Sequence, residues 1–195
     1  LALDGEDVKS KRAKRYHHRS YHDPLTLLNL ALLKNLSLLD GKNLVLDYDN
    51  TYLFTDKSDA TFTYKKRKGY HPGVFIIGNC IISVDNWSGF SDAMSYQDES
   101  IKRIFKLLDT VGIDIDVVRA DSASYKYSTI AAMLTRASYF FVRARLDCST
   151  MNAICNIDQW EEVIINDQVC YRGEIEFMPF QYTVDKKKLP PLCEK

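Results

Sequence analysis

Hydrophobic residues in this chain are grouped into short runs that are separated by polar segments. The first run is rich in leucine, follows Pro24 and ends before Gly41. It predicts a helix over residues 24–39 that is buried on most of its surface. Later runs have either the length of strands or the spacing of one helix face. They predict strands over residues 43–49, 74–77, 81–85, 117–121, 139–144, 163–165 and 169–178, and helices over residues 101–111 and 127–136.

Local signals mark some of these boundaries. Ser95 and Asp98 have the spacing of a capping box, and Gly112 suits the C-terminal end of the helix that follows. Gly78 and Asn79 separate two apolar runs, which predicts a hairpin. The element order is helix, strand, hairpin, helix, strand, helix, strand. It predicts an α/β fold with a mixed sheet, flanking helices and extra strands at the C-terminal end.

Composition is typical of a globular protein and sets limits on the partners. The 195 residues are 46% hydrophobic, and Lys+Arg and Asp+Glu both total 26. Any affinity for nucleic acid must therefore come from a local basic patch. Apolar runs are too short to span a bilayer, so no membrane partner is expected. Five cysteines without a CxxC pair predict free thiols in a reducing cytoplasm. We expect the chain to be a segment of a longer protein, since it begins at Leu1.

Residues 1–23 are polar and rich in basic side chains. We predict that they form either a solvated linker or an arm that contacts nucleic acid. His17, His18 and His22 have no cysteine or acid at a matching spacing, so a zinc site is not expected here. The basic side chains are Lys9, Lys11, Arg12, Lys14, Arg15 and Arg19.

Acidic side chains end two of the predicted strands. Asp47 and Asp49 close the strand over residues 43–49, and Asp121 closes the strand over residues 117–121. Strand ends of open α/β sheets are common sites for ligands and metals. If the two strands are neighbours, Asp49 and Asp121 lie side by side and could bind Mg²⁺ or Mn²⁺. Two such ions can promote attack on a phosphodiester. Alternatively, each acid caps a turn or a helix.

A second polar stretch, residues 64–73, combines four consecutive cations with tyrosines and glycines. Such a segment suits contact with phosphates together with aromatic stacking. It could instead be the exposed edge of a hairpin that is protected by charge. The cations are Lys65, Lys66, Arg67 and Lys68.

Three motifs, in this order, resemble the catalytic domain of insertion-sequence DDE transposases. They read LDYDNT at residues 46–51, YKKRKGYHPG at residues 64–73 and RADSASY at residues 119–125, and the resemblance covers residues 25–145. It implies a ribonuclease-H-like fold in which two aspartates and one glutamate hold divalent metals. It also implies hydrolysis of the DNA at the ends of a mobile element, followed by joining of the 3′ hydroxyl to target DNA.

This resemblance assigns roles to individual residues. Asp49 matches the first aspartate of the family and Asp121 the second. Asp47 lies two residues before Asp49, on the same strand face, and is expected to assist with the metal. Residues 24–195 become a partial catalytic domain. The side chains expected to face DNA are Lys65, Lys66, Arg67, Lys68, Tyr70, His71 and Arg119.

The resemblance also implies cellular partners. These are double-stranded DNA, both at the ends of the element and at the target, and a second copy of the full-length protein. The implied location is the bacterial cytoplasm, in association with the nucleoid.

Two departures from the family pattern stand out. Ala123 occupies a position where the family is expected to have glycine. The third acid belongs to a later helix in a Tyr/Arg/Glu/Lys signature. Residues 171–176 read YRGEIE and contain Tyr, Arg and Glu, but with the wrong spacing and the pattern of a strand. We therefore predict that the glutamate is absent and that this segment alone is inactive.

Three other interpretations remain open. The Asp47-x-Asp49-x-Thr51 pattern also fits haloacid-dehalogenase-type phosphatases, in which Asp47 would be the nucleophile, Asp49 the general acid and Mg²⁺ the cofactor. That family needs a later acidic pair, and only Asp121 is available. The chain could also be an inactive transposase remnant that binds DNA, or an unrelated α/β domain in which the acids are caps.

Overall fold

The structure is a computed structural model that describes residues 4–9, 16–92, 94–190 and 192, with side chains from Arg19 onward except Tyr182. It divides into two units, residues 1–143 and residues 144–195. The first unit has ten strands among the described residues: β1 Asp4–Lys9, β2 Tyr16–Tyr21, β3 Val45–Asn50, β4 Leu53–Phe54, β5 Thr61–Phe62, β6 Lys68–Tyr70, β7 Gly73–Ile77, β8 Cys80–Trp87, β9 Val117–Ala120 and β10 Tyr139–Val142. Its helices are α1 Asp23–Asn35, α2 Gln97–Val111 and α3 Tyr127–Leu134, with a 3₁₀ turn at Ser122–Ser124.

Seven of these strands form one mixed sheet in the order β1-β2-β8-β7-β3-β9-β10. Neighbours are antiparallel from β1 to β3, whereas β3, β9 and β10 pair in parallel. Helices α2 and α3 lie in the two connections that lead into β9 and β10. The predicted α/β class with a mixed sheet and flanking helices is therefore confirmed.

The core lies between one face of this sheet and the helices. Alternate residues of the central strands point into it, as period-two alternation requires. Helix α2 contributes the largest helical share, from an apolar face whose spacing was visible in the sequence. Fully buried members include Leu46, Phe75, Val118, Leu30, Ile101, Ile104, Leu108 and Met133.

Helix α1 differs from its prediction in two ways. It ends at Asn35 rather than near Gly41, because Ser37 has a left-handed φ of 56° and the Leu38 N–H bonds back to Leu33 O at 3.0 Å. It is also not buried on most of its surface. Only Thr26 and Leu30 are buried, and three leucines on other faces are exposed: Leu25, Leu28 and Leu32. Leucine content alone did not indicate which helix faces have partners.

Helix α2 confirms one predicted boundary and corrects the other. Gly112 ends the helix with φ 65°, a left-handed conformation that favours glycine. The predicted capping box is wrong. The N-cap residue is Tyr96, which is itself left-handed at φ 58°, and no side chain caps the helix start there. Backbone geometry rather than the Ser95–Asp98 spacing sets this boundary.

The basic N-terminal segment contains strands that were not predicted. β1 and β2 form an antiparallel hairpin, and β2 pairs with β8 through Arg19 and Ser20. Lys11, Arg12, Lys14 and Arg15 lie outside the described residues. The division of the chain into two units falls after Arg143. From Tyr16 onward, the segment is thus part of the sheet.

The second unit contains helix α4 Cys148–Cys155, strands β11 Glu161–Ile165 and β12 Gln168–Arg172, and helix α5 Gln181–Lys187. β11 and β12 form an antiparallel hairpin, so the expected extra strands are present. β12 is shorter than predicted, and α4 was not predicted.

Cysteine chemistry follows the prediction where it is described. The thiols of Cys80, Cys148, Cys155 and Cys170 are free. Cys193 lies outside the described residues.

A buried ion network joins β2, β8, α1 and α2. Asp85 on β8 has no solvent exposure and is ion-paired with Arg19 at 3.1 Å and with Arg103. Ser100 Oγ donates a hydrogen bond of 2.6 Å to the same carboxylate. Arg103 also reaches Asp23 at the start of α1, at 2.6 Å. The two arginines thus share one buried carboxylate, and each also has a second acidic partner, Glu99 for Arg19 and Asp23 for Arg103.

Replacing that carboxylate should destabilise the first unit. We expect Asp85→Asn to lower the free energy of unfolding by about 3–5 kcal/mol, because two buried guanidinium groups lose their shared counter-charge. Chemical denaturation measures this change. The matched control is Asp114→Asn, at a carboxylate that is 96% exposed and also pairs with an arginine, Arg136. Equal stability of the two variants would contradict the importance of the network.

Candidate functional site

Two acidic side chains meet at one edge of the sheet. β3 and β9 pair in parallel, in a register that runs from Val45 opposite Val117 to Tyr48 opposite Ala120. The next residues in this register are Asp49 and Asp121. Because the strands are parallel, both acids leave the sheet at its carboxyl edge. The pairing on which their expected side-by-side position depended is thus present.

Each of these carboxylates also accepts a local hydrogen bond. Asp49 Oδ1 accepts the Asn50 N–H at 2.8 Å. Asp121 Oδ1 accepts the Ala123 N–H at 2.9 Å and so caps the 3₁₀ turn. The capping alternative therefore describes Asp121 correctly. A cap uses one oxygen and fixes the carboxylate, so it is compatible with a ligand on Oδ2.

The electrostatics of the edge favour a cation. Desolvation by burial raises the pKa of Asp49, and the Asp121 charge raises it further, while the Asn50 N–H and His71 lower it. Since this pKa is higher in the folded state than in the unfolded state, ionisation of Asp49 opposes folding as the pH rises through it. A bound cation would relieve the repulsion between the two carboxylates.

Asp47, the predicted auxiliary ligand, is already paired. Its oxygens accept hydrogen bonds from Arg119 Nε at 2.6 Å and from Arg119 Nη2 at 2.7 Å. Asp47 and Arg119 are opposite each other in the β3–β9 register. Each is thus the partner of the other: both Asp47 oxygens accept from Arg119, whereas Arg119 Nη1 is not used in these two hydrogen bonds.

Beneath the edge, packed side chains fix the end of β3. Tyr48 is buried, and burial raises the pKa of its phenol. Gly73 on β7 lies against it, since a Cβ at that position would be 2.7 Å from Tyr48 Oη. Gln97, the first residue of α2, donates a hydrogen bond of 3.3 Å from Nε2 to Asn50 Oδ1. Sequence patterns gave no sign of Gln97, because its partner is 47 residues away.

The basic segment belongs to a small sheet that is inserted between β3 and β7. We call residues 51–72 the aromatic insertion. Its strands pair in the order β4-β6-β5, and Thr51 N–H bonds to Pro72 O at 3.0 Å where the insertion begins and ends. The insertion therefore starts at the residue after Asn50, beside the carboxylate edge.

The predicted DNA-facing side chains have different positions in this insertion. Lys65, Lys66, Arg67 and Lys68 are exposed at the β5–β6 turn and the start of β6. Tyr70 is partly exposed, and its hydrogen bond to Asp59 raises the pKa of its phenol. The cations are thus available to a ligand, as the prediction requires.

His71 is the exception, and its predicted contact with DNA is corrected. Its side chain is 2% exposed, its Nδ1 is 3.0 Å from the Ser91 carbonyl oxygen, and its ring stacks on Tyr52 at a centroid distance of 4.0 Å. Burial lowers the pKa of His71 against the opposing influence of Ser91, Asp92 and Asp49. This residue supports the insertion from below.

Residues 171–176, whose letters resemble the signature of the third acid, lie in the second unit. β12 ends at Arg172, which pairs with Glu161 at 2.5 Å, and Glu174 and Glu176 follow the strand. Across the part of the chain that is described, no group of three or more His, Cys, Asp or Glu side chains is arranged to hold a metal. The site described above therefore consists of the two carboxylates Asp49 and Asp121.

Comparisons with known proteins do not identify a family for this chain. No protein-family model matches the chain, and no curated protein or solved structure is significantly similar to it. Among the described residues, no helix has the length and apolar character to cross a bilayer.

Removing the Asp121 charge tests the proximity of the two carboxylates. We expect Asp121→Asn to lower the pKa of Asp49, while burial keeps it above the usual aspartate value. Carbon-detected NMR titration of the Asp49 carboxyl measures this. The control is Asp114→Asn, which precedes β9 at the opposite edge and should leave the Asp49 titration unchanged. An unchanged titration in Asp121→Asn would show that the acids do not interact.

Proposed function

We propose that this chain is part of the catalytic domain of an insertion-sequence DDE transposase. Such an enzyme hydrolyses phosphodiester bonds at the ends of a mobile element and transfers the 3′ hydroxyl to target DNA. The observation that carries the proposal is the placement of Asp49 and Asp121 at the ends of adjacent parallel strands. The three motifs that suggested the family lie on the elements that form or adjoin this edge.

The architecture supports a ribonuclease-H-like fold as part of this proposal. An antiparallel hairpin, β7 and β8, adjoins β3, and two parallel crossover strands, β9 and β10, extend the sheet on the other side. This mixed arrangement, with helices in the crossovers, is compatible with that fold. The assignment to the ribonuclease-H-like fold, which is finer than the α/β class, is part of the proposal.

The donor set fits a divalent metal. Carboxylate oxygens are the hard ligands that Mg²⁺ and Mn²⁺ prefer, and each acid has an oxygen beyond the one in its local hydrogen bond. When bound, the ion would activate an attacking water or hydroxyl and stabilise the leaving oxygen. The protein contributes orientation: the cap on Asp121 and the Gln97–Asn50 hydrogen bond hold the two strand ends in place.

Local charge supports DNA as the partner. The aromatic insertion carries five Lys or Arg side chains and two Asp side chains, a net charge of +3, whereas the whole chain is neutral. Its four consecutive cations belong to an insertion that begins at Thr51, directly after the strand that carries Asp49. A patch of this kind can neutralise phosphates without a general positive field.

The phosphatase alternative is less consistent with the geometry. It needs Asp47 as a nucleophile, but both Asp47 oxygens accept hydrogen bonds from Arg119. A carboxylate in a bidentate ion pair is a poor nucleophile. The alternative of an inactive DNA-binding remnant shares the basic surface and differs in its metal chemistry, so metal binding separates the two.

Metal binding is the direct test of the carboxylate pair. We expect Mn²⁺ to bind the chain and both Asp49→Asn and Asp121→Asn to abolish this binding, because the ion needs both ligands. Water-proton relaxation enhancement measures the bound ion. Asp47→Asn should retain binding. Loss in Asp47→Asn and Asp49→Asn but not in Asp121→Asn would favour the phosphatase, and the absence of Mn²⁺ binding to the wild-type chain would contradict the proposal.

Duplex DNA binding should depend on the four consecutive cations. Replacing Lys65, Lys66, Arg67 and Lys68 together by glutamine should weaken binding and flatten its salt dependence by about 0.9 in log–log slope for each phosphate that is no longer neutralised. Fluorescence anisotropy over a salt series measures the slope. The control is Lys102→Gln with Lys106→Gln, at exposed positions of α2. An equal effect of the control would show that binding is spread over the surface.

A further inference from the structure

We propose that the aromatic insertion binds unpaired nucleotides of single-stranded DNA by stacking their bases on its exposed rings. This goes beyond the duplex contact expected of its cations. The choice of DNA as the polymer rests on the proposed function. The argument for unpaired bases rests on the rings themselves.

The insertion exposes large aromatic side chains that do not serve the main core. Tyr64 is 72% exposed and Phe62 is 62% exposed, and Phe54 on the neighbouring part of the small sheet is also exposed. Exposed aromatic rings that are grouped on a small surface mark binding sites more often than single exposed residues do. Every base has a face that can stack on such rings.

These rings are held in place from below. Tyr52 stacks on the buried ring of His71, 4.0 Å between centroids with an interplanar angle of 10°. Tyr64 meets the Tyr52 ring edge-on at 5.3 Å, and Phe54 is nearly parallel to Tyr52 at 6.2 Å. A ring cluster with a buried anchor loses little entropy when a base is added to it.

Cations accompany the rings at distances that suit a nucleotide. Arg67 lies over Phe54, with Cζ 4.1 Å from the ring centroid, and Lys65 Nζ lies 5.6 Å from Tyr52 and 5.8 Å from Tyr64. A base on one of these rings would bring its own phosphate close to a positive charge. Alternation of rings and cations is the composition of surfaces that bind single strands.

A groove in the insertion offers both kinds of contact. Its volume is about 410 Å³, and its lining consists of Phe54, Thr55, Asp56, Phe62, Arg67 and Lys68. Thr55 and Asp56 supply hydrogen-bonding groups of the type that pair with the edges of bases. In a duplex these edges and faces are largely occupied by pairing and stacking, so the groove suits an unpaired base.

The position of the insertion connects this surface to the carboxylates. The insertion leaves β3 directly after Asn50 and returns at Gly73, and its neck is closed by the Thr51–Pro72 hydrogen bond. His71, on which Tyr52 stacks, directly precedes Pro72 in this neck, so the ring cluster is anchored where the insertion joins β3 and β7. A strand on the rings therefore leads towards Asp49.

The alternative that these cations only protect a hairpin edge explains less. Charge protects an exposed edge from pairing with another strand. Exposed Phe62 and Tyr64 act in the opposite sense, because apolar rings on an edge promote association. Stacking of a base accounts for both the exposed rings and the neighbouring cations.

Binding of a fluorescein-labelled 12-nucleotide single strand tests the proposal. The full chain is titrated in EDTA, so that metal binding plays no part, and the same sequence as a duplex is titrated in parallel. We expect the single strand to bind at least tenfold more tightly than the duplex. Phe62→Leu and Tyr64→Leu should each weaken single-strand binding by about 5- to 150-fold, the usual effect of losing one stacked base. Duplex binding should change less than twofold.

The matched control is Tyr139→Leu, at a tyrosine that is 66% exposed and lies at the start of β10, away from the carboxylate edge. Thermal unfolding of each variant checks that the fold is retained. The inference would be overturned if single strand and duplex bound equally well, or if Tyr139→Leu weakened single-strand binding as much as Phe62→Leu and Tyr64→Leu do. It would also be overturned if poly-glutamate competed with the labelled strand as well as unlabelled single strand does. The proposed function is tested separately by Mn²⁺ binding at Asp49 and Asp121, which these variants leave unchanged.

Discussion

Parallel pairing of β3 with β9 is the constraint on which the site depends. Antiparallel neighbours would place the ends of these strands at opposite edges, and Asp49 and Asp121, which are 72 positions apart in the sequence, would then lie far from each other. The chain achieves the parallel direction by a hairpin, β7–β8, followed by a crossover through α2. The core leucines and isoleucines of α2 hold that crossover against the sheet. Ordinary hydrophobic packing therefore creates the electrostatic conflict at the edge.

The buried ion network restricts the orientation of α2 in this packing. Hydrophobic contacts are tolerant of small rotations of a helix, whereas Arg103 on α2 must meet both Asp85 on β8 and Asp23 on α1. Gln97 lies on the same helix and bonds to Asn50 at the site. A rotation of α2 would therefore disturb the ion network and the end of β3 together. Buried charge, which gains little stability on its own, fixes orientation here.

Sequence patterns predicted the strands and the helix whose apolar side chains pack together in the core. The apolar runs of β3, β7, β8 and β9 and the spacing of α2 were sufficient, and Gly112 marked a helix end. Short strands such as β4 to β6 have no pattern to detect, because two or three residues contain no period. The predicted burial of α1 was wrong because a stripe of leucines does not indicate whether another element packs against it. The Asp47–Arg119 pair and the burial of His71 depend on partners far away in the sequence, which local patterns cannot contain.

The carboxylate pair, Asp49 and Asp121, and the aromatic insertion have opposite charge. Carboxylates that hold a divalent ion repel the polyanion on which that ion would act, and a neutral chain has no general field to overcome this. The cations belong to an insertion that begins at Thr51, so the segment that carries the positive charge follows directly from the strand that carries Asp49. Aromatic rings then add an attraction that salt does not screen. Under the proposed function, the insertion would supply the affinity and the strand ends would supply the chemistry.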